Sequence, residues 1–205
     1  MRKPVSKMAR FVKILAVFCL CTGIAIFGGF FGRRFLDRQT QLKVMAQFES
    51  QLADAHQLDG QHRYLGSTLG IGASIKPRDG ETLAILRLDR LGIKVSIAEG
   101  IDKNVLRISA GHFPESAMPG EGNFSIAGHS SRIYTCLFNS MHKAVIGDTI
   151  LVDTKNGTHR YLISDIKTVD PDDLFVIQDT RESVITIVTC TNSGKNRLII
   201  RGVEV

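Results

Sequence analysis

The chain has 205 residues, 43% hydrophobic and 22% charged, enough for one folded domain with accessory segments. Its formal charge is +6, but residues 1–38 hold eight of the 26 basic residues against a single acid, Asp37. The other 18 basic and 19 acidic residues leave the rest near neutral, which argues against a nucleic-acid partner and assigns the basicity to an N-terminal flank.

Taken in chain order, residues 1–13 form a basic tail, with five Lys or Arg and no acid. The uncharged run ILAVFCLCTGIAIFGGFF follows at 14–31. As a helix its eighteen residues span about 27 Å, close to the roughly 30 Å hydrocarbon core of a bilayer. A cleaved signal peptide is the rival reading, but such peptides have a shorter apolar region ending at a small-residue cleavage site. Here the run continues into the bulky, basic FFGRRFLDR, so an uncleaved single-pass anchor is expected. Three basic residues and one acid follow it, and the charge asymmetry favours a cytoplasmic N-terminus with the rest of the chain outside the cell membrane.

Residues 32–80 read as a helical stalk and linker. Leu42, Met45, Phe48, Leu52 and Ala55 recur every three to four residues, the mark of one helix face that could pack on the following domain. The Gly-rich, polar stretch 57–80 has no clear period and reads as linker. From Glu81 the texture changes to short β-type runs: 82–88, 93–99, 123–129, 148–154, 158–169, 183–190 and 197–205. KNG at 155–157 and NSGKN at 192–196 read as hairpin turns. Many short strands with no long helical pattern between them predict an all-β domain over 81–205, an antiparallel barrel or sandwich.

Strand ends and loops are where such a domain presents reactive groups on a fixed frame. Cys190 ends the run VITIVTC and faces a turn, the placement of a nucleophile if a base takes its proton. Of six histidines, His56 and His62 fall in the stalk and linker, and His142 and His159 in polar surroundings. His112 opens a loop-like stretch, whereas His129 closes the apolar run NFSIAG, at a strand end like Cys190. Either a functional or a backbone-bonded role suits His129, and Arg197 could be an ordinary strand-edge charge. Together, Cys190, His129 and Arg197 supply a nucleophile, a proton carrier and an oxyanion-stabilising cation for acyl transfer. Cys136 and Cys190 could instead form a disulfide in an oxidising compartment. Cys19 and Cys21 lie in the anchor, and the paired CxxC spacing of a zinc site is absent.

The stretches SAGHFPESAMPGEGNFSIAGHSS, TIVTC and NRLIIRG resemble the sortases, cysteine transpeptidases of bacterial surfaces, and the resemblance extends over roughly 82–205. TIVTC is similar to the family's TLxTC box with Ile187 for Leu, AGH at 127–129 to its histidine box, and Arg197 to its arginine. The resemblance implies a β-barrel of about eight strands behind a membrane anchor. It implies that Cys190 attacks the Thr carbonyl of an LPxTG-like sorting signal on a surface protein, giving a thioacyl enzyme. His129 would then serve the leaving and entering amines, and Arg197 the oxyanion. Thr189 and Thr191 stand as supporting residues, the Thr191 N–H as a further oxyanion donor. The accepting amine would come from cell-wall precursor or, in a pilus-building member, from a pilin lysine. Neither a metal nor another cofactor is implied. The lack of a DP-aromatic lid motif in 57–80 and of a long insertion before Ser183 points to a class D- or A-like member. TCTNSG lacks the aromatic-proline pair often following the class D cysteine. The first GH, with His112, reads as structural and Cys136 as a reduced residue near the site. Two other readings stand beside this one. The L,D-transpeptidases keep His and Cys close in sequence, unlike the separation of His129 from Cys190. A non-catalytic, membrane-tethered binding module would have little use for all three residues.

Overall fold

A computed structural model describes residues 7–62, 77–130, 137–191 and 193–205, without the side chains of 7–10, 56–62 and 174. The chain divides into two compact units, Met1–Asp37 and Arg38–Val205.

The helix α1 runs Lys7–His62. Within it lies a stretch long and apolar enough to cross a membrane, and the large side chains of Phe11 through Phe31 are exposed, as expected of a surface whose solvent is lipid. The C-terminal part of α1 belongs to the second unit. There Phe48 and Leu52, two members of the predicted apolar face, are buried against Ile85. Glu49 pairs with Lys94, and the Lys155 ammonium sits 5.8 Å from the Phe48 ring centroid. Much of the linker expected over 57–80 lies outside the described residues.

Eight strands close into a barrel. In chain order they are β1 (Thr82–Leu88), β2 (Ile93–Glu99), β3 (Ala110–His112), β4 (Asn123–Gly128), β5 (Thr149–Thr154), β6 (Gly157–Val169), β7 (Val184–Cys190) and β8 (Arg197–Glu204). Around the barrel the order is β1-β2-β3-β4-β7-β8-β6-β5. Closure leaves no unpaired edge. The period-2 alternation of side chains sends Ala84, Leu86 and Leu88 inward to meet Phe124, Ile126, Ile150, Tyr161, Ile187 and Ile200. Ile85 points the other way, and that is the residue α1 covers.

The seven runs expected from sequence are strands within a residue of their expected bounds, and both turns join antiparallel pairs. Thr154 pairs with Gly157 across a two-residue link, and Gly157, which opens β6, has φ 137°, a conformation that favours glycine. Two elements escaped the sequence reading because they are short. One is β3, which takes in His112 where the sequence reads as loop. The other is the helix α2 (Lys103–Ile108), capped by Asp102 Oδ1, which accepts from the Asn104 N–H at 2.6 Å. An antiparallel sheet also needs correction: β2 with β3 and β4 with β7 are parallel. Each of those pairs is separated by a long connection, one containing α2 and the other the whole β5–β6 hairpin.

Candidate active site

The parallel β4–β7 pair brings residues 61 positions apart to one end of the barrel. Its register runs from Asn123↔Val184 to Gly128↔Thr189, so His129 and Cys190 each come one step beyond the same rung. On the other side of β7, Cys190 pairs directly with Arg197 across the antiparallel ladder. Ile126, Ile187 and Ile200 occupy inward positions, which by alternation puts Cys190 and Arg197 on the outer face, with His129 continuing that face from β4. All three side chains are half-buried.

Arg197 Nη1 lies 3.6 Å from Cys190 Sγ, within reach of a hydrogen bond to sulfur. Cys190 is a free cysteine, so the disulfide reading does not hold for it. Cys136 lies outside the described residues. Partial burial holds the His129 imidazole below the usual histidine pKa by withholding water from its charged form. An imidazole that rests neutral at pH 7 can accept a thiol proton and return it to a leaving amine.

Hydrogen bonds fix the backbone around this pair at several points. Thr189 Oγ1 donates to Gly128 O at 2.7 Å, and Ser130 Oγ donates to Cys190 O at 2.7 Å. The Phe138 N–H donates to His129 O at 3.1 Å. A Cβ on Gly128 would lie 2.4 Å from the Phe138 ring, so glycine is required there by close approach. Thr189 is buried, and its hydroxyl ties β7 to β4. Thr191 serves the turn: its N–H donates to Asn196 O at 3.0 Å, and its hydroxyl bonds Asn196 O and Ser193 Oγ. The expected use of the Thr191 N–H for an oxyanion therefore meets an amide already engaged.

Three other histidines are placed elsewhere. His112 is buried, with Nδ1 2.7 Å from Glu99 Oε2 and Nε2 near Ala117 O and Ser116 Oγ, a structural bonding pattern that agrees with its structural reading. His159 pairs with Glu204 at 2.8 Å, and His142 bonds Asn139 O. His56 and His62 fall on the last turns of α1. Sequence reasoning missed Ser130 and Asn123. The Asn123 side chain donates to Val176 O and Gln178 O and accepts from Thr186 Oγ1, fastening the β6–β7 connection over the outer face of β4 and β7. In both cases the bonding partner is more than fifty residues away in sequence, so no local pattern reveals it.

A model of the sortase domain matches residues 86–205. Sortase D of Bacillus subtilis is 26% identical over 201 residues, covering 94% of this chain and 98% of that protein. Among solved structures, a Clostridium perfringens Sortase D5 transpeptidase is 38% identical, with TM-score 0.60 over 63% of this chain and 82% of its own. Sortase C1 of Streptococcus agalactiae is 25% identical, with TM-score 0.59 over 82% of this chain and 96% of its own. The barrel, the matched domain and the full-length likeness agree: the chain belongs to the sortase family of transpeptidases.

Proposed function

We propose that the protein is a membrane-anchored transpeptidase that cuts an LPxTG-like sorting signal after its Thr and passes the upstream protein to a cell-wall amine. The observation that carries this reading is the Cys190–Arg197 contact at 3.6 Å on one ladder rung, with His129 one step beyond the neighbouring rung. Cys190 Sγ attacks the Thr carbonyl carbon while His129 takes the thiol proton. Negative charge gathers on the carbonyl oxygen, where the Arg197 guanidinium faces it. The C–N bond then breaks, His129 protonates the leaving amine, and a thioester to Cys190 remains. An incoming amine, deprotonated by His129, attacks the thioester and frees the thiol. Thr189 acts through Gly128 to hold the two strand ends together. The anchor is the apolar part of α1, with the N-terminus on the cytoplasmic side and the barrel outside.

The test is intact-mass measurement of the chain in detergent with peptides of LPxTG, LPxTA and NPxTN type. A thioacyl adduct on Cys190, cleared by a wall-precursor amine and absent from Cys190→Ala, is the expected result. Clearance by a pilin-type lysine alone would make it a pilin polymerase. An adduct on the Cys190→Ala protein would refute the mechanism.

A further inference from the structure

We propose that Ser130 is a positioning residue for the Cys190 thiol, acting through the peptide group between Cys190 and Thr191; the proposal rests on the transpeptidase reading of the same site. Both polar edges of that peptide are held. Its carbonyl accepts from Ser130 Oγ at 2.7 Å, and its N–H donates to Asn196 O at 3.0 Å. Ser130 is the sequence neighbour of His129, and Asn196 is the neighbour of Arg197. One peptide plane is therefore gripped from β4's end by the residue after the histidine, and from β8's start by the residue before the arginine.

The consequence is geometric. With Thr189 Oγ1 holding Gly128 O on the preceding rung, the segments Gly128–Ser130 and Thr189–Thr191 are joined by two reciprocal side-chain bonds, one in each direction. The direction of the Cys190 Cα–Cβ bond follows from the orientation of the peptides on either side of it. Releasing the carbonyl lets the plane rotate about its remaining bond to Asn196, and Sγ moves relative to both Arg197 Nη1 and the His129 ring. Transition-state geometry tolerates such shifts poorly, whereas binding of a long peptide hardly senses them. Ser130 is half-buried at the mouth of the site, where water can satisfy the freed carbonyl, so its loss reads out in chemistry more than in folding.

The experiment compares Ser130→Ala and Ser130→Thr with the parent, full-length in detergent, using an LPxTG-type peptide for thioacyl formation and iodoacetamide as a substrate-free probe of Cys190, in a Cys19, Cys21 and Cys136 serine background. Ser130→Ala is expected to lower kcat about five- to tenfold, the factor that one lost neutral hydrogen bond corresponds to. KM stays within about twofold and Tm within a few degrees, since the bond's loss is felt at the thiol. Alkylation at pH 7 slows in the same variant, and Ser130→Thr, which keeps the hydroxyl, restores both rates. Parental kcat and alkylation rate in Ser130→Ala would overturn the proposal. So would a loss confined to KM, or a kcat loss that Thr does not rescue. If the parent is alkylated but never acylated by any peptide, the transpeptidase reading fails instead, and the alkylation comparison alone decides the role of Ser130.

Discussion

At the scale of single residues, the proposed mechanism depends on a planar cation placed beside a sulfur. Arg197 reaches Cys190 Sγ with one nitrogen of its fork, and in that mechanism its other donors face the oxyanion. Lysine keeps the charge but offers a compact ammonium on a flexible stem. Arg197→Lys should therefore reduce kcat/KM about a hundredfold, the usual loss when an oxyanion donor is removed. Steady-state kinetics on the peptide substrate checks this, and a loss under threefold would exclude a role for the fork. In the same mechanism His129 sets the pH response. Its burial lowers the pKa from the ordinary value of 6.5, so the neutral, proton-accepting form persists below that pH and is lost only as pH falls through the depressed value. The acid limb of kcat/KM should accordingly lie below pH 6.5, and a limb above it would contradict this assignment.

At the scale of elements, the stalk is part of the barrel's packing. Phe48 and Leu52 shield Ile85, an outward apolar side chain on β1 that would otherwise meet water. Phe48→Ala should weaken this docking by about 3 kcal/mol, typical of truncating a buried phenylalanine. Hydrogen exchange gives the measurement. Amides of the stalk around residues 45–55 should exchange faster in the variant while those of β4, β7 and β8 remain protected. Equal protection of the stalk in both proteins would show that Phe48 does not hold it. The β4–β7 pair is the other decisive element. Because the two strands are parallel and nearly in register, they deliver histidine and cysteine to the same end. An antiparallel pairing of the same strands would separate them by the strand's length, about 20 Å for six residues.

At the scale of the whole molecule, an apolar helical stretch and a near-neutral barrel divide the chain's properties between them. The proposed orientation, with the barrel outside the cell, rests on the charge bias around the apolar run. In intact cells a membrane-impermeant maleimide should label Cys190 of a Cys136→Ser protein, with Cys190→Ala as the unlabelled control. Labelling that requires lysis would reverse the orientation. Sortase relatives from Bacillus, Clostridium and Streptococcus share the domain or its fold at 25–38% identity, so the barrel tolerates wide changes in its side chains.

Much of this protein was determined by sequence alone. The uncharged run at 14–31 pointed to a helix long and apolar enough to cross a membrane, and period-2 alternation with turn residues pointed to the strands. The resemblance of 127–129, 186–190 and Arg197 to sortase boxes marked His129, Cys190 and Arg197 as candidates. The helix and the strands are local properties, carried by composition and spacing within a dozen residues. Which strands lie side by side is a property of closure, and only the tertiary structure decided it. The pattern NFSIAG says that β4 has two faces but not that β7 is its partner or that the pair is parallel. Likewise nothing about Ser130 or Asn196 as residue types reveals that they converge on one peptide group. Their bonds to Cys190 and Thr191 exist because β7 is clasped between β4 and β8. Burial of Phe48 against Ile85 follows the same logic: the helix face was legible, while the surface it covers depended on where β1 stood in the closed barrel.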